Sequence, residues 1–236
     1  MENHSLDTTV IDETLVASIS RILVESNIPC VLWGNYLLAI YGVPSIVDVS
    51  SSSTVIRGVC ASNKGLADCS ELELCTAVVK TRTSPPPAVH FHIDAEMTVS
   101  IYTQYSTLWF LPELILNKIT HSPDFILASD SRLPPPRPGR GRGAFHASPF
   151  PVYIPTAHRL LEAFICLILR PPDGKYRCFA IAMVTYIGEY VDEDGLLNEE
   201  KVESRCKEFY SGLKNGRKPM RSLVEDLKAG FEGPTD

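Results

Sequence analysis

The sequence lacks the features of a membrane-spanning or secreted chain. Its longest apolar stretches, residues 28–40 and 179–187, are interrupted by Gly, Asn or Thr, and they are shorter than the roughly 20 apolar residues of a spanning helix. The first twelve residues contain three acids and neither Lys nor Arg, whereas a secretory signal begins with basic residues and an apolar block. We therefore expect a cytoplasmic protein that does not bind a membrane.

Positive charge is scarce, and closely spaced cysteine pairs are missing. The 22 basic residues stand against 28 acidic ones, which gives a formal charge of -6, so the surface as a whole repels nucleic-acid phosphates. We expect no DNA binding, and any contact with RNA must be local. The seven cysteines include no C-x-x-C pair, which is unlike a zinc ribbon or a disulfide framework. We expect them to be reduced and mostly buried.

The hydrophobic content of 44% is that of a globular chain, and its periodicity alternates between helix and strand in the first half. Apolar residues recur at helical spacing or with period two, and turn residues separate the segments. The predicted elements are, in chain order, helix 12–27, strand 29–33, helix 35–41, strand 46–49, helix 54–62, and a hairpin of strands 89–93 and 97–102.

The second half of the sequence is helical after a segment of low complexity. Residues 131–151 carry four arginines and no acid, a composition typical of a mobile loop. Helical periodicity follows at 157–169, 178–190, 199–214 and 220–230, and we expect the second of these helices to be buried on most faces. We predict one domain over 1–236, with an α/β sheet part at about 12–130, the loop at 131–151 and a helical part at 152–230.

The most informative string is residues 31–50, in which a strand pattern leads into Gly34-Asn35 and then a helix. This layout resembles the nucleotidyltransferase superfamily, in which a Gly-polar pair opens a helix and an Asp-x-Asp pair on the next strand binds two metal ions. The resemblance implies an α/β fold with a mixed sheet, flanking helices and a helical C-terminal part. It also implies that Asp48 is the first acid and Asp94 a third, while Ser50 stands where the second acid would be.

Several further strings resemble a set of small fungal proteins with this layout, and the resemblance spans about residues 10 to 230. They are Trp-Gly-x-x-x-Leu-x-x-Tyr-Gly-Val-Pro, His90-Phe91-His92, 108–112, and Pro155-Thr156-Ala157 with the helix after it. We identify that set as the one containing the fungal arginine-containing cyclodipeptide synthases. The resemblance implies an enzyme of secondary metabolism that condenses arginine, from arginyl-tRNA, with a second aminoacyl group into a diketopiperazine. The sequence has no Asp-Asp-x-x-Glu string, which we associate with that activity.

This chemistry requires a base, donors for an oxyanion and two aminoacyl-tRNAs, but no metal and no cofactor. The candidate catalytic residues are Asp48, Asp94 and Glu162, which could also select an arginine side chain by a bidentate contact. The candidate substrate-binding residues are Gly34, Asn35, Ser45, Ser50, Arg140 and Arg142. Of these, the two serines could accept an aminoacyl group, and the two arginines could contact acceptor-stem phosphates.

Other interpretations of the same residues stay open. The chain could be a metal-dependent nucleotidyltransferase-type enzyme, although Ser50 weakens a two-metal site, or a non-catalytic binding protein on that fold. Gly34 and Gly42 could be simple turn residues, and the arginines could belong to a solvated loop. His90 and His92 share one face of a strand and could form a His-x-His metal site, which Asp94 could join only with difficulty.

Overall fold

The computed structural model describes residues 12–44, 53–58, 73–75, 84–93, 97–146, 150–170, 173–216 and 218–232. The chain is mixed α/β, and it divides into two compact units. Unit 1 comprises residues 1–80 and 86–156, and unit 2 comprises 81–85 and 157–236. Within the described ranges, no helix combines the length and the apolar character that crossing a membrane requires.

Unit 1 opens with the predicted helix, strand and helix. Helix α1 (Glu13–Glu25) is capped by Asp12, whose Oδ1 accepts the Leu15 N–H at 2.9 Å, and its apolar stripe is buried as the helical spacing predicts. Strand β1 (Cys30–Gly34) leads directly into α2 (Asn35–Ile40). Both helices pack against β1 and against the next strand of the sheet, Ser53–Gly58.

The sheet of unit 1 contains strands in both orientations. After β1 come β2 (Ser53–Gly58), β3 (Glu73–Cys75), β4 (Val89–Ile93) and β5 (Met97–Ile101), and the spatial order is β1-β2-β5-β4-β3. Strand β2 pairs antiparallel with β1 and parallel with β5, while β4 pairs antiparallel with both β3 and β5. The mixed sheet and the β4–β5 hairpin confirm two of the expectations.

The helix predicted over residues 54–62 is wrong, because residues 53–58 form β2. This strand contains the β-branched residues Thr54, Val55 and Ile56, which favour a pleated, half-buried position. It also forms hydrogen bonds with a neighbouring strand on each side, so tertiary pairing overrides the local helical spacing. The strand predicted at 46–49 lies outside the described residues.

The rest of unit 1 follows the sheet in the chain and includes the residues around the four arginines of 131–151. It contains the short helices α3 (Gln104–Thr107) and α4 (Leu116–Ile119), and a two-stranded sheet of β6 (Phe125–Leu127) and β7 (Tyr153–Pro155). The buried phenol of Tyr41 donates to the carbonyl of Pro155 at 2.7 Å. This bond anchors β7 to the end of α2.

Unit 2 is helical, as predicted. Helices α5 (Ala157–Leu169), α6 (Arg177–Tyr186), α7 (Ser204–Asn215) and α8 (Met220–Glu232) form it, and a π-helical turn, Ile187–Asp192, extends α6. The expectation that residues 178–190 are buried on most faces is wrong. Only Ala180, Val184 and Ile187 are fully buried in that range, because a helix with one packed face needs only one apolar stripe.

Candidate functional site

The arginine-rich segment, defined here as residues 131–146, is held against α2 by backbone hydrogen bonds. It contains no helix or strand. The Gly141 N–H donates to the Gly42 carbonyl at 3.0 Å, and the Gly143 N–H donates to the Ala39 carbonyl at 3.1 Å. The low complexity of the segment predicted a loop, but it did not predict these attachments to the C-terminal end of α2.

Two glycines of this segment have no room for a side chain. A Cβ atom at Gly141 would clash with the Ala39 carbonyl oxygen and would lie 2.6 Å from that of Val43. Gly143 has a φ of 75°, and a Cβ there would lie 2.5 Å from the Pro134 carbonyl oxygen. The glycines therefore permit close backbone packing, while the Arg142 side chain between them stays exposed.

Arg142 binds a buried tyrosine of α2. Its Nη1 donates to Tyr36 Oη at 3.3 Å, and its Cζ lies 5.5 Å from the centroid of the Tyr36 ring. The Phe145 ring meets Tyr36 edge-on, with centroids 5.8 Å apart. Burial raises the pKa of Tyr36 to about 12, although Arg142 lowers it. The phenol is therefore protonated at neutral pH and keeps a proton that it can donate.

Two carboxylates from the start of α1 line the same pocket as this contact. Asp12 caps the helix, and Glu13 Oε2 accepts the backbone N–H of His146 at 2.8 Å. Glu13 Oε1 lies 3.3 Å from Nδ1 of His146, whose side chain is 82% exposed. Glu13 therefore fixes the end of the arginine-rich segment and orients an accessible imidazole.

These groups line an open cavity of about 380 Å³, a volume at the small end of the range for ligand pockets. Its lining includes Asp12, Glu13, Tyr36, Arg142, Phe145 and His146. We call it the bipolar cavity, because carboxylates line it together with a guanidinium and a phenol. Such a lining can bind a cation through its carboxylates and an anion or oxyanion through its donors.

The structure describes four of the six predicted substrate-binding residues, and one of these four lines the bipolar cavity. Gly34, with a φ of 87°, forms the turn between β1 and α2, and Asn35 is the first residue of α2. Arg142 lines the bipolar cavity, whereas Arg140 is half-buried in the same segment and is not part of the lining. The remaining candidates of unit 1, which are Asp48, Asp94, Ser45 and Ser50, lie outside the described residues.

Glu162, the third candidate acid, forms the contacts of a structural carboxylate in unit 2. It is 1% exposed. Its Oε2 accepts Arg159 Nη1 at 2.6 Å, and its Oε1 accepts the backbone N–H of Glu203 at 2.8 Å. Both oxygens are thus engaged by groups of the protein itself, and they tie α5 to the residue that caps α7.

Sequence reasoning missed most of the bipolar cavity. The sequence marked Asp12 only as the first residue of a predicted helix, and Tyr36 only as the residue after Gly34-Asn35. The bonds between Glu13 and His146 join residues 133 positions apart, so no local spacing reveals them. The glycines at 141 and 143 were a possible signal, because glycine is required where two backbones approach closely.

A second group of polar side chains lies on the sheet of unit 1 and could hold a metal ion. One ligand atom from each of Cys75, His90 and His92 lies within 4.8 Å of the other two. The two imidazole rings are 5.4 Å apart between centroids and nearly perpendicular, at 79°. His90 and His92 of β4 pair with Cys75 and Glu73 of β3. Because alternate residues of a strand project to the same side, this pairing confirms that the two histidines share one face of the sheet.

Comparison with known proteins gives no match for this chain, whether with protein-family models, with curated proteins or with solved structures.

Proposed function

We propose that this chain is a tRNA-dependent synthase that condenses an arginyl group with a second aminoacyl group into a cyclic dipeptide. The observation that carries the proposal is the bipolar cavity, where Asp12 and Glu13 lie together with Tyr36 and Arg142. An aminoacyl group of arginine has a cationic side chain and a reacting ester, and the cavity offers acceptors for the first and donors for the second.

The arrangement of the first elements supports the proposed nucleotidyltransferase-like fold. Strand β1 ends at Gly34, α2 begins at Asn35, and β2 then pairs with β1. The resemblance depends on this order of strand, Gly-polar pair and helix, whereas the next strand that it implies, at 46–49, lies outside the described residues. Ser50, which stands where the second acid of the resemblance would be, disfavours the alternative of two-metal nucleotidyl transfer.

Asp12 is the acceptor that we assign to the arginine side chain. A guanidinium presents five N–H donors in a planar fork that matches the two oxygens of a carboxylate. Asp12 accepts one backbone N–H, from Leu15, and an ionised carboxylate has about four acceptor positions. It therefore keeps capacity for a ligand, in contrast to a carboxylate whose oxygens are both engaged in a buried site.

His146 is the group that we assign to proton transfer. In the first step, the amine of one aminoacyl group attacks the ester carbonyl of the other, and the first tRNA leaves with its hydroxyl reprotonated. In the second step, the free amine of the dipeptidyl ester attacks the remaining ester carbonyl, which closes the ring and releases the second tRNA. In each step the His146 imidazole, oriented by Glu13, takes the amine proton and returns it to the leaving oxygen.

The donors of the cavity stabilise the charge that develops in both steps. Tyr36 Oη accepts a hydrogen bond from Arg142, and its own proton can be donated to the oxyanion of the tetrahedral intermediate. The exposed guanidinium groups of Arg137 and Arg142 supply local positive charge for acceptor-stem phosphates on an otherwise acidic chain.

The test is expression of the full chain in a bacterial host, which supplies charged tRNAs, followed by mass spectrometry of the culture. We expect arginine-containing cyclic dipeptides that are absent from the empty-vector control. The His146→Gln variant should reduce them at least about tenfold, within the usual contribution of general-base catalysis. His121→Gln is the matched control, because His121 is exposed in unit 1 and does not line the cavity.

Two results would contradict the proposal. One is the absence of any such product from folded, soluble protein, and the other is a product whose yield His146→Gln leaves unchanged. Magnesium-dependent binding of a nucleoside triphosphate without product would favour the nucleotidyltransferase alternative. Binding of tRNA without turnover would favour a non-catalytic binding protein.

A further inference from the structure

One face of the sheet in unit 1 carries polar side chains at the end formed by β3, β4 and β5. Residues directly opposite each other on paired strands project to the same face. The register places Cys75 opposite His90 and Glu73 opposite His92, and it places Ser100 on β5 opposite His90. The alternate residues Phe91, Val99 and Ile101 are buried and apolar, so the polar set is confined to one face.

We propose that Cys75, His90 and His92 bind a divalent transition-metal ion, for which Zn²⁺ is the expected occupant. The proposal is independent of the function proposed above. Thiolate and imidazole are the ligands that zinc prefers in proteins, and three protein ligands leave a fourth position for water or for a substrate atom. Sites with three protein ligands and one open position are characteristic of catalytic zinc.

The distances are compatible with closure around an ion. With zinc–nitrogen distances of about 2.0–2.1 Å and a zinc–sulfur distance of about 2.3 Å, the ligand atoms of a tetrahedral site lie roughly 3.3–3.6 Å apart. The three ligand atoms here are all within 4.8 Å of one another. Small side-chain rotations therefore suffice, and β3 and β4, already paired, need not separate.

A buried hydroxyl next to the cluster supports the assignment. Ser100 is 0% exposed, and its Oγ has no hydrogen-bond partner among the residues that the structure describes. A buried hydroxyl without a hydrogen-bond partner destabilises the folded state. A histidine that binds a metal through one ring nitrogen donates the N–H of the other to a nearby acceptor. Ser100, directly across from His90, is placed to accept that bond.

The test uses the full chain without a histidine tag, grown with added Zn²⁺ and dialysed against a weak chelator. We expect about one zinc per chain by elemental analysis. Cys75→Ser and His92→Gln should each weaken zinc binding about tenfold or more, measured by competition with a chromophoric chelator. Cys178→Ser and His121→Gln are the matched controls, because both residues are exposed and outside the cluster, and they should bind zinc like the wild type.

Cobalt gives a readout that does not depend on zinc affinity. Co²⁺ bound by the wild type should show a sulfur-to-metal charge-transfer absorption, and Cys75→Ser should abolish this absorption while Cys178→Ser retains it. The proposal would be overturned if the wild type bound no zinc, or if both cluster variants bound it as tightly as the controls. Because Cys75→Ser is nearly isosteric and His92 is accessible to solvent, circular dichroism should show both variants folded.

Discussion

Two glutamates of this chain, Glu13 and Glu162, have opposite surroundings. Glu162 is buried within unit 2, and each of its oxygens accepts a hydrogen bond from the protein. Glu13 is 32% exposed and borders a cavity, where it contacts an imidazole that is itself open to solvent. A carboxylate with all its partners inside the protein stabilises the fold, whereas one that faces a cavity can act on a ligand. Residue type alone does not distinguish the two.

Removal of Glu162 should have the largest effect on stability. Glu162→Ala deletes two hydrogen bonds and leaves the Glu203 N–H and Arg159 without this acceptor. Breaking a buried pair costs about 3–5 kcal/mol, and because Arg159 is 29% exposed, we expect roughly 2–4 kcal/mol in urea unfolding. The control Glu200→Ala, at a side chain that is 87% exposed, should cost less than about 1 kcal/mol. Equal losses for the two variants would contradict the structural role of Glu162.

A methyl group at Gly141 should have the next largest effect. Its Cβ would meet two backbone carbonyl oxygens of α2 and the turn after it, and overpacking of this kind costs about 1–3 kcal/mol. Gly139→Ala is the matched control, because its Cβ meets nothing within 4 Å and only the strain of its φ of 73°, worth about 1 kcal/mol, applies. Thermal unfolding should rank Gly141→Ala as the less stable. The reverse ranking would show that the segment does not pack on α2.

These contrasts also indicate which parts of the fold and of the site can be predicted from the sequence. The stripe of α1, the Gly34 turn and the β4–β5 hairpin depend on local periodicity and turn chemistry, and they were predicted. The strand at 53–58 was not, because its conformation is set by two neighbours distant in sequence. The bipolar cavity joins residues 12–14 to 136–146, and no local pattern encodes that contact. Arg142 was a candidate because of its charge, whereas its partner Tyr36 was not among the candidate residues.

The pH dependence of unfolding tests the burial of Tyr36, which lines the bipolar cavity. Folding raises the pKa of Tyr36 from 10 to about 12, chiefly through burial. As the pH rises, the unfolded chain therefore loses this proton first, so the contribution of Tyr36 is intact below about pH 10 and is lost between about pH 10 and 12. Tyr36→Phe should lose less stability across that interval than the wild type does. Tyr105→Phe, at a side chain that is 75% exposed, should behave like the wild type, and identical curves for all three would contradict the burial of Tyr36.

The smallest effect on stability is expected for Glu13→Gln. The amide oxygen of glutamine can still accept the His146 N–H, and the lost ion pair with His146 is largely exposed. Such pairs contribute about 0–1 kcal/mol, so urea unfolding of the variant should differ from the wild type by less than about 1 kcal/mol. A loss comparable to that of Glu162→Ala would show that Glu13 is a structural residue.

The most direct test of the account is product formation by purified protein supplied with arginyl-tRNA and a second aminoacyl-tRNA. We expect the wild type and Glu225→Gln, a substitution at an exposed acid in unit 2, to form an arginine-containing cyclic dipeptide. Glu13→Gln, although folded, should form at least about tenfold less, because its neutral side chain no longer offsets the positive charge that the His146 imidazole gains when it takes the amine proton. Undiminished product from Glu13→Gln, or no product from the wild type, would contradict the assignment of the bipolar cavity as the site of this reaction.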